Sequence, residues 1–187
     1  MQEYQTQFAP VLRTERLTLR RARMTDARDL YECCRDPQMA KYVLWDAHTS
    51  VSDTRGYVRY LLRQYRNGDP PTLAVEVNET GKVIGTIGFA WLQQENRSAE
   101  VGYSIGREYW NRGYMTEALL AFLDWCFGDL NLNRVEAQHD LLNPASGRVM
   151  EKAGMRKEGE MRQRVYLKGR YADVAVYAAL KQDWRKK

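Results

Sequence analysis

The chain has 187 residues and a mass of 21.9 kDa, the size of one compact domain, and its 44% hydrophobic content is enough to bury a core. With 28% charged residues, 5 Pro and 13 Gly, the composition excludes disordered, collagen-like and low-complexity chains. Lys and Arg outnumber Asp and Glu by 29 to 24, a net charge of +5, which fits a nucleic-acid binder, a protein that docks a polyanionic small molecule, or plain solubility.

In chain order, residues 16–22 alternate as a half-buried strand does, and Thr25-Asp26 opens a helix carrying Ala27, Leu30 and Tyr31. Tyr57, Val58, Leu61 and Leu62 recur at helical spacing, predicting a second helix from about Ser52 to Gln64 before Asn67-Gly68-Asp69-Pro70-Pro71 stops it. The period then changes. Residues 72–77 and 82–89, joined by Asn78-Glu79-Thr80-Gly81, read as a hairpin, and Ala99–Ile105 follows as a third strand in which Gly102 marks a bulge or a close backbone approach. Tyr114–Phe127 is helical, Arg134–Gln138 is a strand, and Asn143-Pro144-Ala145-Ser146 has the grammar of a helix start, with Gly154 ending that helix. Two strands, about 155–166 and 171–180, complete an α+β domain around one mixed, largely antiparallel sheet.

The junction between the third strand and the helix at Tyr114 is the informative one. A loop of Asn111, Arg112 and Gly113 leads straight into the helix, so free backbone N–H groups and the positive end of a helix dipole meet at one point. Arg112 adds a charge and Thr116 a hydroxyl. Neither G-x-x-x-x-G-K-[ST] nor G-x-G-x-x-G is present, which removes the main support for nucleotide hydrolysis and dinucleotide binding.

Four ordered blocks, TERLTLRRARMTDARDLYE, TGKVIGTIGF, AEVGYSIGREYWNRGYMTEAL and NRVEAQHDLLNPASGRVMEKAGM, resemble the GNAT N-acetyltransferase superfamily, and within it the branch of ribosomal-protein-alanine N-terminal acetyltransferases. The resemblance covers about residues 11 to 180. It divides the chain into a tail at 1–10, a GNAT-like domain at 11–182 and a basic tail at 183–187, and implies acetyl-CoA as acyl donor. By resemblance, the backbone of Tyr103, Ser104 and Ile105 pairs with the pantetheine arm, and Asn111, Arg112, Gly113, Tyr114, Met115 and Thr116 cradle the pyrophosphate. The family loop is Q/R-x-x-G-x-G/A, and this chain departs from it at Trp110 and Met115. Asn143 is expected on the pantetheine and Ser146 as proton donor to the leaving thiolate; both equally suit a helix cap and a first-turn polar residue.

Acyl transfer to an amine needs the amine neutral, the carbonyl polarised, the two held in line and the thiolate protonated. An α-amine with pKa about 7.7 to 8.0 requires only a weak base, whereas a lysine at about 10.4 requires a strong one. Glu100, which leads the third strand, is the candidate base, directly or through a water; its alternative is a surface pair with Arg97 or a neighbour. Glu117 is a second carboxylate, better suited to complementing the helix dipole. By resemblance, the segment carrying Trp45 and His48 lines the acceptor side of the cleft, which makes both candidate substrate contacts, with a core role open for Trp45. His139 and Cys126 read as structural, and no base lies near Cys33 or Cys34 in sequence.

The three cysteines are odd in number and match no zinc spacing, so a reducing cytoplasm and no metal are expected, and no apolar run approaches the roughly 20 residues of a membrane span. The expected function is acetylation of a primary amine, foremost a protein or peptide N-terminal α-amine, by a monomer or homodimer. Acetylation of a small amine such as a polyamine, amino sugar or antibiotic, and a CoA-binding regulatory module without turnover, are the alternatives. A nucleic-acid binder using Arg20, Arg21, Arg23 and the tail Trp184-Arg185-Lys186-Lys187 has no RNP-type or helix-turn-helix pattern to support it, so no specific nucleic acid is expected.

Overall fold

A computed structural model describes residues 9–184. Arg185, Lys186 and Lys187 of the basic tail, and the N-terminal tail up to residue 8, lie outside the described residues. Among the described residues eight strands form one sheet: β1 (Leu12–Arg13), β2 (Leu17–Arg20), β3 (Thr72–Val77), β4 (Val83–Gln93), β5 (Ser98–Ile105), β6 (Arg134–Asp140), β7 (Arg156–Leu167) and β8 (Arg170–Leu180). Their order across the sheet is β1-β2-β3-β4-β5-β6-β8-β7. Neighbours are antiparallel except β5 and β6, the parallel pair.

Helices α1 (Ala27–Cys34), α2 (Pro37–Ala40) and α3 (Val51–Asn67) precede β3; α4 (Tyr114–Phe127) joins β5 to β6, and α5 (Pro144–Lys152) joins β6 to β7. The larger core lies on one face, where Ala118, Leu119, Phe122 and Leu123 of α4 and Met150 of α5 meet Leu17, Leu19, Ile87, Ala99, Val101 and Ala137. On the other face Leu30 of α1 and Val58 and Leu61 of α3 meet Ala74 and Val83. Adjacent strand residues thus serve opposite cores, as the two-residue period of a strand requires.

The α+β architecture and the order of elements agree with the sequence reading, and three local readings are corrected. The strand at 16–22 shrinks to Leu17–Arg20 and is buried on both faces, because its polar residues have partners: Thr18 donates to Asn78 Oδ1 at 2.7 Å, and Arg20 is gripped by Asp26 and Glu76. The α3 helix extends past both expected ends, from the Ser50 capping box with Asp53 to Gly68 at φ +75°. Gly102 carries no bulge. The bulge sits on β4 between Phe89 and Trp91; a Cβ on Gly102 would meet no atom of the chain within 4 Å, and the close approaches within the chain are at Gly85 and Gly88, where a Cβ would meet Ser104 O at 2.2 Å and Thr72 Cα at 2.4 Å. Among the described residues, no helix is long and apolar enough to cross a membrane.

Candidate active site

β5 and β6 pair at Ser98–Arg134, Ala99–Val135 and Glu100–Glu136, and there the pairing ends, while β5 continues along β4 to Ile105. Past Glu100 the two strands fork. Gly106 N–H donates to Ile84 C=O at 2.8 Å, so antiparallel alternation turns the main chains of Gly102 and Ser104 toward β4 and those of Val101, Tyr103 and Ile105 toward the fork. Of the three strand residues expected along a ligand, Tyr103 therefore presents its backbone to the opening and Ser104 does not. The Ile105 carbonyl is already engaged, accepting from Trp110 Nε1 at 2.8 Å.

Side chains follow the same parity. Tyr103 points to the α4/α5 face, where its phenol oxygen lies 3.0 Å from both the carbonyl and the hydroxyl oxygen of Ser146. Burial holds the phenol's pKa well above its usual range, so it keeps its proton. Glu100 points to the opposite face, accepting from Trp91 Nε1 at 2.7 Å and from Gln138 Nε2 at 2.9 Å. The expected surface pair with Arg97 is replaced by these two neutral donors. Glu136, Met161 and Arg164 line a recess beside it of about 50 Å³. A larger concavity, about 860 Å³, lies along α3 among Arg59, Arg63 and Arg66 and shares no residue with the fork.

At the start of α4, Asn111 (φ +59°) and Gly113 (φ +78°) are left-handed, and Gly113 is the N-cap, without a side chain to bond the first turn. The helix's own bonds begin with Glu117 N–H to Gly113 C=O at 3.0 Å, so the amides of Tyr114, Met115 and Thr116 precede the first intrahelical donor and have no acceptor within the helix. Met115 departs from the family loop harmlessly for access, because its side chain is buried in the core; Arg112 is exposed and Thr116 half-buried.

Glu117 braces this opening. It accepts from Thr14 Oγ1 at 2.6 Å, from the Arg16 amide at 2.9 Å and from Arg16 Nε at 2.7 Å, while Arg16 Nη1 also donates to Arg112 C=O at 3.0 Å. Burial pushes the Glu117 carboxyl up, but these bonds outweigh it and the pKa is lowered. Glu117 is a tie between the β1–β2 turn and α4.

Asn143 occupies the N-cap position of α5, yet its side chain makes no capping bond; its backbone N–H donates to Asp140 C=O at 2.7 Å, and Ser146 N–H to Asn143 C=O at 3.1 Å. His48 and Trp45 stand together on the α1/α3 face, ring centroids 5.6 Å apart, with Trp45 against Cys33, Cys34 and Met39. His48 Nδ1 bonds Thr54 Oγ1 at 2.8 Å, its ring lies 6.3 Å from that of Tyr57, and burial lowers its pKa. Tyr57 OH, Thr86 Oγ1 and Ser104 Oγ follow at successive 3.4 Å steps, so a line of hydroxyls joins this wall to β5.

The remaining polar candidates are structural. His139 bonds the Asp140 carbonyl and fills the space a Cβ on Gly147 would need. Cys33, Cys34 and Cys126 are free and buried, and burial pushes the first two thiols up to about 11 and about 12. Among the described residues, no group of His, Cys, Asp and Glu is placed to hold a metal. The Tyr103 phenol, the Trp91 and Gln138 donors and the hydroxyl line were missed by sequence reasoning; the parity of β5 was the signal that separates Glu100 and Ser104 from Tyr103.

Comparison with known proteins finds that the acetyltransferase (GNAT) domain family matches residues 16–156. The chain is 37% identical over 173 residues to the uncharacterized N-acetyltransferase p20 of Bacillus licheniformis, covering 92% of this chain and 97% of that protein. It is 27% identical over 131 residues to the ribosomal-protein-serine acetyltransferase of Escherichia coli, covering 70% of this chain and 72% of that one. A solved GNAT-family acetyltransferase from Bacillus anthracis superposes with a TM-score of 0.83 at 28% identity, covering 92% of this chain and 99% of that chain.

Proposed function

The chain belongs to the GNAT acetyltransferase family, whose members move an acetyl group from acetyl-CoA to an amine, and on that premise we propose that its acceptor is the α-amine of a protein or peptide N-terminus, acetylated by direct transfer. The fork between β5 and β6 carries the reading. It separates a carboxylate, Glu100, on one face from a pair of hydroxyls, Tyr103 and Ser146, on the other. Acyl transfer makes those two demands on opposite sides of one carbonyl: a proton is taken from the incoming amine, and one is given to the departing sulfur.

The residues present fit an acyl-CoA. The forked edge of β5 offers unpaired main-chain groups to an extended arm, and the uncapped start of α4, with Arg112 beside it, offers N–H groups and positive charge to a diphosphate. When bound, acetyl-CoA supplies an activated acetyl group on a thiol leaving group. Tyr103 then holds Ser146 in place; as the carbon–sulfur bond breaks Ser146 gives its proton to sulfur and recovers one from solvent, into which Glu100 releases the proton taken from the amine. Asn143, its amide side chain uncommitted to the helix cap, hydrogen-bonds the arm. The fork-facing N–H of Tyr103 or Ile105 polarises the carbonyl.

On the acceptor side Glu100 takes the amine proton, directly or through a water, held by Trp91 and Gln138. Trp45 and His48 form the outer wall, on the same face as Glu100. An α-amine suits a weak base of this kind because about a tenth or more of it is already neutral near pH 7. The name of the Escherichia coli relative, an acetyltransferase of a ribosomal protein, favours the same acceptor class. Residues 11–182 form the catalytic domain in this reading, and the three buried free thiols suit a cytoplasmic setting.

A thiol-release assay with acetyl-CoA and a mixed panel tests the proposal. Turnover on peptides with free N-termini, lost when the N-terminus is blocked, is the expected result. Turnover confined to polyamines or amino sugars would replace the acceptor, and donor binding without release of CoA across the panel would replace catalysis by regulation.

A further inference from the structure

The mechanism above takes nothing from the β7–β8 hairpin, yet its turn reaches two walls of the cleft. Lys168 and Gly169 are both left-handed, at φ +49° and +84°, and form a two-residue connection between the paired Leu167 and Arg170. For a residue with a Cβ that conformation costs about 1 kcal/mol, so the lysine's placement has to be repaid by what it touches. Lys168 Nζ donates to the carbonyls of Ala40 at 2.7 Å and Trp45 at 3.0 Å, and lies 3.3 Å from Asp46 Oδ1. Three oxygens meet an ammonium that has three N–H donors.

Two of those oxygens are main-chain atoms at either end of the segment that carries Trp45 toward His48. Asp46 is 92% exposed, so its ion pair is weak, and the carbonyl contacts are the ones that fix backbone. Two residues further on, Arg170 pairs with the Asp140 carboxylate, whose other oxygen accepts the Leu142 amide at 2.9 Å. One turn therefore ties the wall at residues 40–46 to the loop that leads into Asn143 and α5.

We propose that Lys168 is a positioning residue for the acceptor: it pins the Trp45–His48 wall at a fixed distance from the fork, so that the amine enters against Glu100. This rests on the reading that the Glu100 face receives the acceptor. Loss of the ammonium would leave the buried Ala40 carbonyl accepting from the Val43 amide at 3.4 Å and free the Trp45 carbonyl, on a half-buried residue, while α2 and the Ser50 cap still anchor the segment's ends. The wall would loosen without the fold failing.

The test compares wild type with Lys168→Met, Lys168→Arg and Asp46→Asn, using acetyl-CoA and the best acceptor in the panel above. Lys168→Met is expected to raise acceptor KM about 5- to 20-fold with acetyl-CoA KM within twofold, as loss of uniform acceptor binding would. Lys168→Arg recovers part of the loss, and Asp46→Asn changes neither constant. Hydrogen exchange at residues 41–48 speeds up in Lys168→Met, a readout that needs no acceptor. Unchanged acceptor KM despite faster exchange would overturn the proposal, as would equal rises in both KM values with a lowered melting temperature. If wild type accepts only small amines, the peptide reading fails, and the KM comparison is made with that amine.

Discussion

The phenol of Tyr103 lies 3.0 Å from the hydroxyl of Ser146, linking β5 to α5 on the face of the sheet opposite the Glu100 carboxylate. A phenol kept protonated by burial has one proton to give, to the Ser146 carbonyl or to Ser146 Oγ; given to Oγ, it leaves the serine's own proton directed elsewhere. If the two act as one unit on the leaving thiolate, their removal cannot be additive. Tyr103→Phe and Ser146→Ala should each lower kcat by roughly 10- to 100-fold, and the double variant by no more than the worse single one. Steady-state kinetics checks this; independent, multiplying losses would separate the pair.

Asn143 can be tested for its two roles separately. An N-cap side chain is worth about 1 kcal/mol, but this one makes no capping bond. Asn143→Ala should change stability by less than about 0.5 kcal/mol in urea melts and weaken acetyl-CoA binding several-fold by calorimetry. A large stability loss with unchanged binding returns the residue to capping.

Glu100→Gln keeps the side chain's size but removes the acceptor of an amine proton. One carboxylate oxygen becomes an NH2 facing an N–H of Trp91 or Gln138. A drop in kcat/KM for the acceptor of about 100-fold is expected, with acetyl-CoA affinity retained. Activity near wild type would move the base elsewhere.

Glu117 makes acid sensitivity local. Its folded pKa is lowered below the ordinary 4.5, so the stability it contributes is present above that value and is lost as pH falls through the lower folded one. Glu117→Gln should cost about 1–3 kcal/mol at pH 7 through the weakened bonds to Thr14 and Arg16. The difference from wild type should shrink as the pH falls further below 4.5, which urea melts across that range measure.

What the sequence made legible was whatever a local pattern encodes. The broad apolar face of Tyr114–Phe127 predicts α4 to the residue, and Asn143-Pro144 predicts where α5 begins. β1 has two residues and α2 one turn, too short for any periodicity to register. The site was legible as segments and not as contacts. Glu100 could be nominated from its place at the head of a strand, but its donors come from two other strands, and the Tyr103 phenol meets a helix 43 residues away. Lys168 reaches carbonyls 128 and 123 residues distant, through a turn that reads as an ordinary hairpin. Parity along β5 was available in the sequence; the fork that opens where the β5–β6 pairing ends at Glu100 was not.

Hydrogen exchange with and without acetyl-CoA addresses the grip of the main chain most directly. Slowed exchange confined to the fork-facing amides of β5 from Val101 to Ile105 and to the loop and first turn from Asn111 to Thr116 is the predicted result. Binding that leaves both segments exchanging at the rate of the free protein would contradict it.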